Sequence, residues 1–224
     1  MQQFVIIVAG GSGTRMGSDV PKQFLKLAGK PVLMHTIQKF YDFNTSISIL
    51  VVLPKTQIEY WKQLVKEYNF LIEHSVVIGG ETRFHSVKNG LHSISQTEGI
   101  VAIHDGVRPM VSLQTIKNCF TATIKFGNAT PAIALQDSLR IIDGENSKSV
   151  SRSDYKLVQT PQCFSLALIK KAFLQEYTAN FTDDASVFEA DGGKINLVEG
   201  NVENTKITTP FDLKLAENYI KSSK

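Results

Sequence analysis

The chain has 224 residues, with 24 Lys and Arg against 21 Asp and Glu, a formal net charge of +3 at pH 7. That balance lacks the clustered cations of a nucleic-acid coat or a polybasic membrane anchor. Hydrophobic residues make up 42% and charged residues 20%, a globular composition that excludes wholesale disorder. No apolar run approaches the roughly 20 residues needed to span a bilayer. The first run, Phe4 to Val8, is too short for a signal-peptide core and has no basic flank. The two cysteines, Cys119 and Cys163, exclude a disulfide scaffold and a four-cysteine zinc site. Each is expected as a small buried apolar residue in a reducing compartment, which points to a cytoplasmic protein.

Short β-branched runs at 3–8, 47–53, 75–78, 100–103 and 129–135 read as strands, several of them apolar on both faces. Between them, amphipathic spacing predicts helices over 31–41, 55–68, 83–94 and 113–126. The first opens on Pro31, where a missing N–H is harmless. Strand–helix alternation of this kind implies an α/β domain, Rossmann-like, with a mostly parallel sheet. The rhythm breaks at Gln136. Residues 136–160 are polar and β-like, with Asp143-Gly144-Glu145-Asn146 as a turn, and read as a projecting arm. Helices over 165–177, just after Thr182 and over 210–221, with a strand at 194–198, complete a single expected domain over 1–224. The arm is long enough to be functional rather than filler.

The strongest local signal is Val8-Ala9-Gly10-Gly11-Ser12-Gly13-Thr14-Arg15-Met16-Gly17, directly after the first strand. Glycines there let backbone N–H groups approach a phosphate with no Cβ in the way. The dinucleotide fingerprint fails, because Met16 stands where its third glycine belongs, and the P-loop pattern fails because Pro31 follows Gly29-Lys30. What remains is a glycine loop followed by two cations, Arg15 and Lys22, which suits a reaction that builds negative charge on phosphorus.

These residues, with Pro21-Lys22-Gln23-Phe24, resemble the nucleotide-binding signature of the cytidylyltransferases that act on sugar-alcohol phosphates. Gly79-Gly80-Glu81-Thr82-Arg83 with Ser86-Val87, His104-Asp105-Gly106-Val107-Arg108-Pro109, Thr160-Pro161-Gln162, Thr182-Asp183-Asp184-Ala185-Ser186 and Asn204-Thr205-Lys206-Ile207-Thr208 continue the likeness in family order. It covers essentially the whole chain and is strongest to the members that use 2-C-methyl-D-erythritol 4-phosphate, CTP and magnesium. Two departures stand out: Ser138 occupies a position where the family commonly has threonine, and Gly106-Val107 replaces a frequent pair of small residues.

The resemblance implies roles by position. Arg15 and Lys22 stabilise the pentacoordinate transition state, and the backbone of Ala9, Gly10, Gly11, Ser12 and Gly13 holds base and triphosphate. Gly80, Glu81 and Ser86 complete a cytosine pocket. Arg108, Ser138 and Thr160 contact substrate, and Arg152 and Lys206 position the phosphosugar. Asp105 serves ribose, a substrate hydroxyl or Mg2+, directly or through water. A homodimer is implied, with the arm as its interface and Arg152 acting on the neighbour's site. The chemistry itself needs no strong general base, because the acceptor phosphate is already ionised near neutral pH, so His35, His74, His85, His92 and His104 are expected to be structural. Three other readings compete. Sister enzymes using ribitol 5-phosphate share most of the signature. Sugar-1-phosphate nucleotidylyltransferases share the G-x-G-T-R loop but not the segment from His104 to Pro109. A catalytically silent nucleotide-binding module would have little reason to keep Arg15, Lys22 and Lys206 together.

Overall fold

The computed structural model describes residues 1–11 and 20–222, so the expectations for Ser12, Gly13 and Arg15 fall outside the described residues. The central sheet has eight strands: β1 (Gln3–Val8), β4 (Ser48–Leu53), β5 (Ser75–Ile78), β6 (Ile100–Asp105), β7 (Asn128–Ala134), β10 (Lys156–Val158), β11 (Gln162–Ser165) and β12 (Leu197–Glu199). Their order is β10-β7-β11-β6-β1-β4-β5, with β12 paired to β7. The run β5-β4-β1-β6 is parallel, and β11 enters antiparallel beside β6. Two small strands, β2 (Lys26–Leu27) and β3 (Lys30–Pro31), pair with each other, as do β8 (Leu139–Asp143) and β9 (Asn146–Val150).

Strand side chains alternate between faces, and here both faces are covered. Val5 and Ile7 of β1, Ile49, Val51 and Leu53 of β4, and Ala102 of β6 join one core, shared with α1 (Val32–Phe43), α2 (Ile58–Glu67) and α4 (Leu113–Phe126). Phe4, Ile6, Leu50, Val52, Val101 and Ile103 point into the other, shared with α3 (Arg83–Ser93), α5 (Leu166–Ala172) and α6 (Asp184–Ala190). The last helix, α7 (Pro210–Ser222), packs through Ala216 on a third cluster with Leu27, Val32, Val107, Met110 and Ile207.

Helix ends follow local chemistry. Ser112 caps α4 by accepting from Thr115 N, and Gly127 closes it at φ 84°. Asp183 and Ser186 form a reciprocal capping box at α6. Both cysteines are buried and free, as expected from sequence.

The α/β class and mostly parallel sheet agree with the sequence reading, while three local expectations need correction. The projecting arm is only the β8–β9 hairpin, because β10 returns to the main sheet beside β7. Ser165, the first residue of the helix expected over 165–177, belongs to β11, and α5 spans Leu166–Ala172. Strand β6 runs on through His104 to Asp105, since β1 stays hydrogen-bonded in register with it to that point.

Helix α3 crosses the sheet at Gly90, where an added Cβ would lie 2.9 Å from Ile6 Cγ2 and 3.3 Å from Val52 Cγ2. Alanine would bring a helix-propensity gain of about 1 kcal/mol but overpack this contact. Gly90→Ala should therefore lower stability by about 1–2 kcal/mol in urea denaturation; a variant as stable as the parent would show that the crossing has room.

Candidate active site

A pocket of about 310 Å3 opens at the carboxyl ends of β1 and β6, where open α/β sheets bind ligands. Its walls include Ala9, Gly10, Gly11, Lys22, Gly80, Glu81, Ser86, Asp105 and Lys206, all assigned from sequence. A larger groove, about 700 Å3, lies at the amino ends of the strands, but no Lys or Arg lines it among the described residues. Of these two, the smaller pocket is the one that offers counter-charges to an anionic nucleotide among the described residues.

Each wall is held by its own sequence. Phe24 inserts beside Tyr60 and Trp61, with ring centroids 5.3 and 6.0 Å apart, and thereby anchors the short 3-10 turn Lys22–Phe24. Buried Gln23 donates to Ala9 O at 2.8 Å, tying that turn to the glycine loop. Lys22 is only 8% exposed, and its Cε lies close to Gly11. On the opposite wall, Gly80 N donates to Ser86 Oγ at 3.1 Å, closing the loop ahead of α3. A Cβ at position 80 would come within 2.4 Å of His85 Cβ, so this turn requires glycine.

Asp105 is the centre of charge. Its Oδ2 meets Lys206 Nζ at 3.0 Å and Arg108 Nε at 3.2 Å, and its Oδ1 faces Arg83 Nε at 3.6 Å. Burial alone would lift this carboxyl, but Arg83, Lys206 and Arg108 outweigh it and hold it well below the usual carboxylate range. Arg83 is itself forked onto Asp184, at 2.8 and 2.6 Å. Lys206 is presented by a loop pinned from below. Asn204 Nδ2 donates to Thr160 O at 2.8 Å, Ile207 N donates to Val107 O at 2.9 Å, and Ile207 is fully buried.

The structure does not bring every expected residue to the wall. Thr160 turns its hydroxyl inward, accepting from Asp105 N at 3.1 Å and pairing with His104 Nδ1 at 3.0 Å, so it lies behind Asp105. Arg108 is engaged by Asp105 and by Asn204 O at 2.7 Å, which makes it a brace between two segments. Ser138 and Arg152 are exposed near the stem of the β8–β9 hairpin, and Arg152 Nη1 donates to Gln136 O. Neither lines this chain's own pocket. Conversely, Arg83, Thr82, Gln23 and Val107 line the pocket without having been singled out. Arg83 was visible in the Gly79–Arg83 segment, but its partner lies 101 residues away and no spacing rule joins them.

A buried strand ending in three convergent cations beside a glycine loop defines a nucleotide-binding α/β protein equipped for chemistry at phosphate. Comparisons with known proteins agree. The family described as 2-C-methyl-D-erythritol 4-phosphate cytidylyltransferase matches residues 3–222. A protein of that name from Bacteroides thetaiotaomicron is 54% identical over 215 residues, covering 96% of this chain and 98% of its own. One from Phocaeicola vulgatus is also 54% identical, over 98% of this chain and 100% of its own. The crystal structure of the Francisella tularensis protein superposes with a TM-score of 0.81 at 33% identity, covering 98% and 99% of the two chains. The chain belongs to the 2-C-methyl-D-erythritol 4-phosphate cytidylyltransferase family and is a nucleotidyltransferase.

His104 offers a direct test of how this site is braced. It is fully buried, edge-on to Phe40 at 5.0 Å, with Nε2 donating to Arg108 O at 3.1 Å and Nδ1 accepting from Thr160. Burial pushes its pKa from 6.5 down to about 4. A neutral imidazole therefore stabilises the fold fully above pH 6.5, and that contribution is lost as pH falls toward 4. At about 1.4 kcal/mol per pH unit, the loss comes to about 3 kcal/mol. Denaturation curves of His104→Gln should show a correspondingly flatter dependence on pH between 6.5 and 4 than the parent; an unchanged slope would overturn this assignment.

Proposed function

We propose that the protein transfers the cytidylyl group of CTP to 2-C-methyl-D-erythritol 4-phosphate. The products are 4-diphosphocytidyl-2-C-methyl-D-erythritol and pyrophosphate, in non-mevalonate isoprenoid biosynthesis. The observation that carries this reading is the meeting of the Ala9–Gly11 backbone and Lys22 with the Asp105–Lys206 pair across one pocket. An acceptor phosphate oxygen attacks the α-phosphorus of CTP, a new P–O bond forms, and the bond to the β-phosphate oxygen breaks. Because the nucleophile is already anionic, the protein's contribution is alignment and charge neutralisation. Lys22 meets charge developing at the α-phosphate, a role the resemblance also gives Arg15. The backbone of 9–13, with Gly80, Glu81 and Ser86, holds triphosphate and cytosine. Lys206 lies across the pocket to receive the acceptor phosphate.

Mg2+ fits as a companion of the triphosphate. Among the described residues no group of three or more His, Cys, Asp or Glu is placed to hold a metal. Asp105, however, lines the pocket, and among the described residues its Oδ1 makes a long 3.6 Å contact to Arg83. One protein oxygen plus phosphates and water is a donor set this hard cation accepts. Its chemistry there is neutralisation of triphosphate charge.

The reading extends to a cytoplasmic homodimer; among the described residues no helix is long and apolar enough to cross a membrane. The arm and the neighbouring edge strand expose Ile141, Ile142, Leu157 and Val158, at 51, 71, 51 and 44%. A lone two-stranded hairpin is only marginally stable, and a two-fold partner would bury these side chains and carry Ser138 and Arg152 toward the neighbouring pocket.

Pyrophosphate release across a panel of nucleotides and acceptors tests the substrates. CTP with the methylerythritol phosphate should turn over and UTP should not, because a pocket that pairs the cytosine amino group leaves groups unpaired against a carbonyl. Turnover with ribitol 5-phosphate alone would reassign the acceptor. Lys22→Met, which keeps the buried stem, should lower kcat roughly 100-fold; a raised KM with normal kcat would make Lys22 a binding contact only. For the arm, inactive Arg15→Ala and Arg152→Ala chains should recover about a quarter of parental activity after subunit exchange, since each mixed dimer then holds one intact site. Demonstrated exchange without recovery would place Arg152 in its own chain's site.

A further inference from the structure

Asp184 is fully buried at the first turn of α6, yet α6 has another anchor besides the Arg83–Asp184 ion pair. Gln162 of β11 donates to Asp183 Oδ2 at 2.7 Å and accepts from Ala185 N at 2.8 Å, fastening the same turn to the sheet. A buried ion pair is a weak way to add stability, since apolar residues of similar volume often serve as well or better. The Arg83–Asp184 pair therefore calls for a reason beyond docking the helix.

Its geometry supplies one. Both terminal nitrogens of Arg83 are forked onto the two Asp184 oxygens, at 2.8 and 2.6 Å. A planar guanidinium held on one edge has its Nε direction fixed. That Nε faces Asp105 Oδ1 but stops at 3.6 Å, beyond a good hydrogen bond, while Oδ2 is shared by Lys206 and Arg108. Burial lifts the Asp184 carboxyl above its ordinary range against the pull of Arg83, so this anion depends on that one cation.

We propose that Arg83 and Asp184 form a positioning pair for the acceptor half of the reaction. Asp184 holds the Arg83 guanidinium back, so that Asp105 is steadied at Oδ1 without being captured, and Oδ2 remains to orient Lys206. The proposal rests on the reading in which Asp105 and Lys206 serve the acceptor phosphate. If Asp184 lost its charge, Arg83 would close onto Asp105, and Asp105 would release Lys206 from its resting position. The CTP side, built on the glycine loop with Gly80, Glu81 and Ser86, is closed by the Gly80–Ser86 hydrogen bond, which does not involve the Asp184 carboxylate.

The experiment compares Asp184→Asn and Arg83→Lys with the parent. Initial rates are measured against each substrate, CTP affinity by calorimetry, and Tm as a control for folding. Both variants are expected to raise the acceptor KM at least tenfold, and Asp184→Asn, whose side chain is not part of the pocket wall, should keep the CTP Kd within twofold of the parent. The double variant should be no worse than the poorer single, because the two act as one unit. A merely structural pair would lower Tm without separating the two substrates. Should Asp184→Asn fail to fold, Asp184→Glu, which keeps the charge but pushes the guanidinium toward Asp105, should show the same split. An unmoved acceptor KM, or equal losses for both substrates, overturns the pair while parental turnover leaves the functional reading intact. Absence of parental turnover with the methylerythritol phosphate overturns both.

Discussion

The Asp105 carboxylate, buried at the end of a fully buried strand, is the constraint on which the site depends. An ionised carboxylate in that position is untenable without partners, and the chain provides three cations to meet it: Arg83 from α3, Arg108 from the following turn, and Lys206 from a loop about a hundred residues on. Each cation is in turn fixed by something else, Arg83 by Asp184, Arg108 by the Asn204 carbonyl, and Lys206 by the loop that Asn204 and Ile207 pin. The charge therefore reinforces a meeting of segments that backbone hydrogen bonds and apolar packing also hold together. Pairing these groups leaves a cluster with a net positive bias, which favours a polyanionic ligand.

Behind the charge stands a layer of neutral polar groups that sets its geometry. The Asp105 amide, the Thr160 hydroxyl and the His104 imidazole form a short hydrogen-bonded chain that ends on the Arg108 carbonyl. Every member has a partner, and a fully satisfied buried network is rigid where a partly satisfied one is costly. The strand terminus, the turn after it and the segment entering β11 are consequently tied to one another. This explains how residues absent from the pocket wall bear on residues that form it.

Much of the protein was legible in one dimension. Apolar runs on both faces of the strands forecast a covered, mostly parallel sheet, and local spacing picked out Ala9, Gly10, Gly11 and Lys22, which line one pocket. Where the reading failed, the deciding information was non-local. Residues 162–165 are too short and too close to a helical pattern to announce a strand, and they become β11 only because β6 and β7 leave a gap between them. The stretch 156–158 looked like part of the arm until β7 offered it an edge. The family resemblance implies that Thr160 contacts substrate; its register against Asp105 turns the hydroxyl inward, which no local spacing shows.

Chemistry-bearing residue types at local spacing are what the sequence alone determined: the Ala9–Gly13 loop, Lys22 after its proline, the Gly79–Arg83 turn, and an aspartate closing an apolar run. Local spacing is readable because backbone geometry ties neighbours together within a turn or a strand. Partnership was decided by the tertiary structure. Which cation faces which carboxylate, that Asp184 holds Arg83 across 101 residues, and that Lys22 lies along Gly11 rather than in solvent all follow from sheet order and packing. A buried charge must find its counter-charge, but nothing in the order of residues says which distant segment the fold will bring to it.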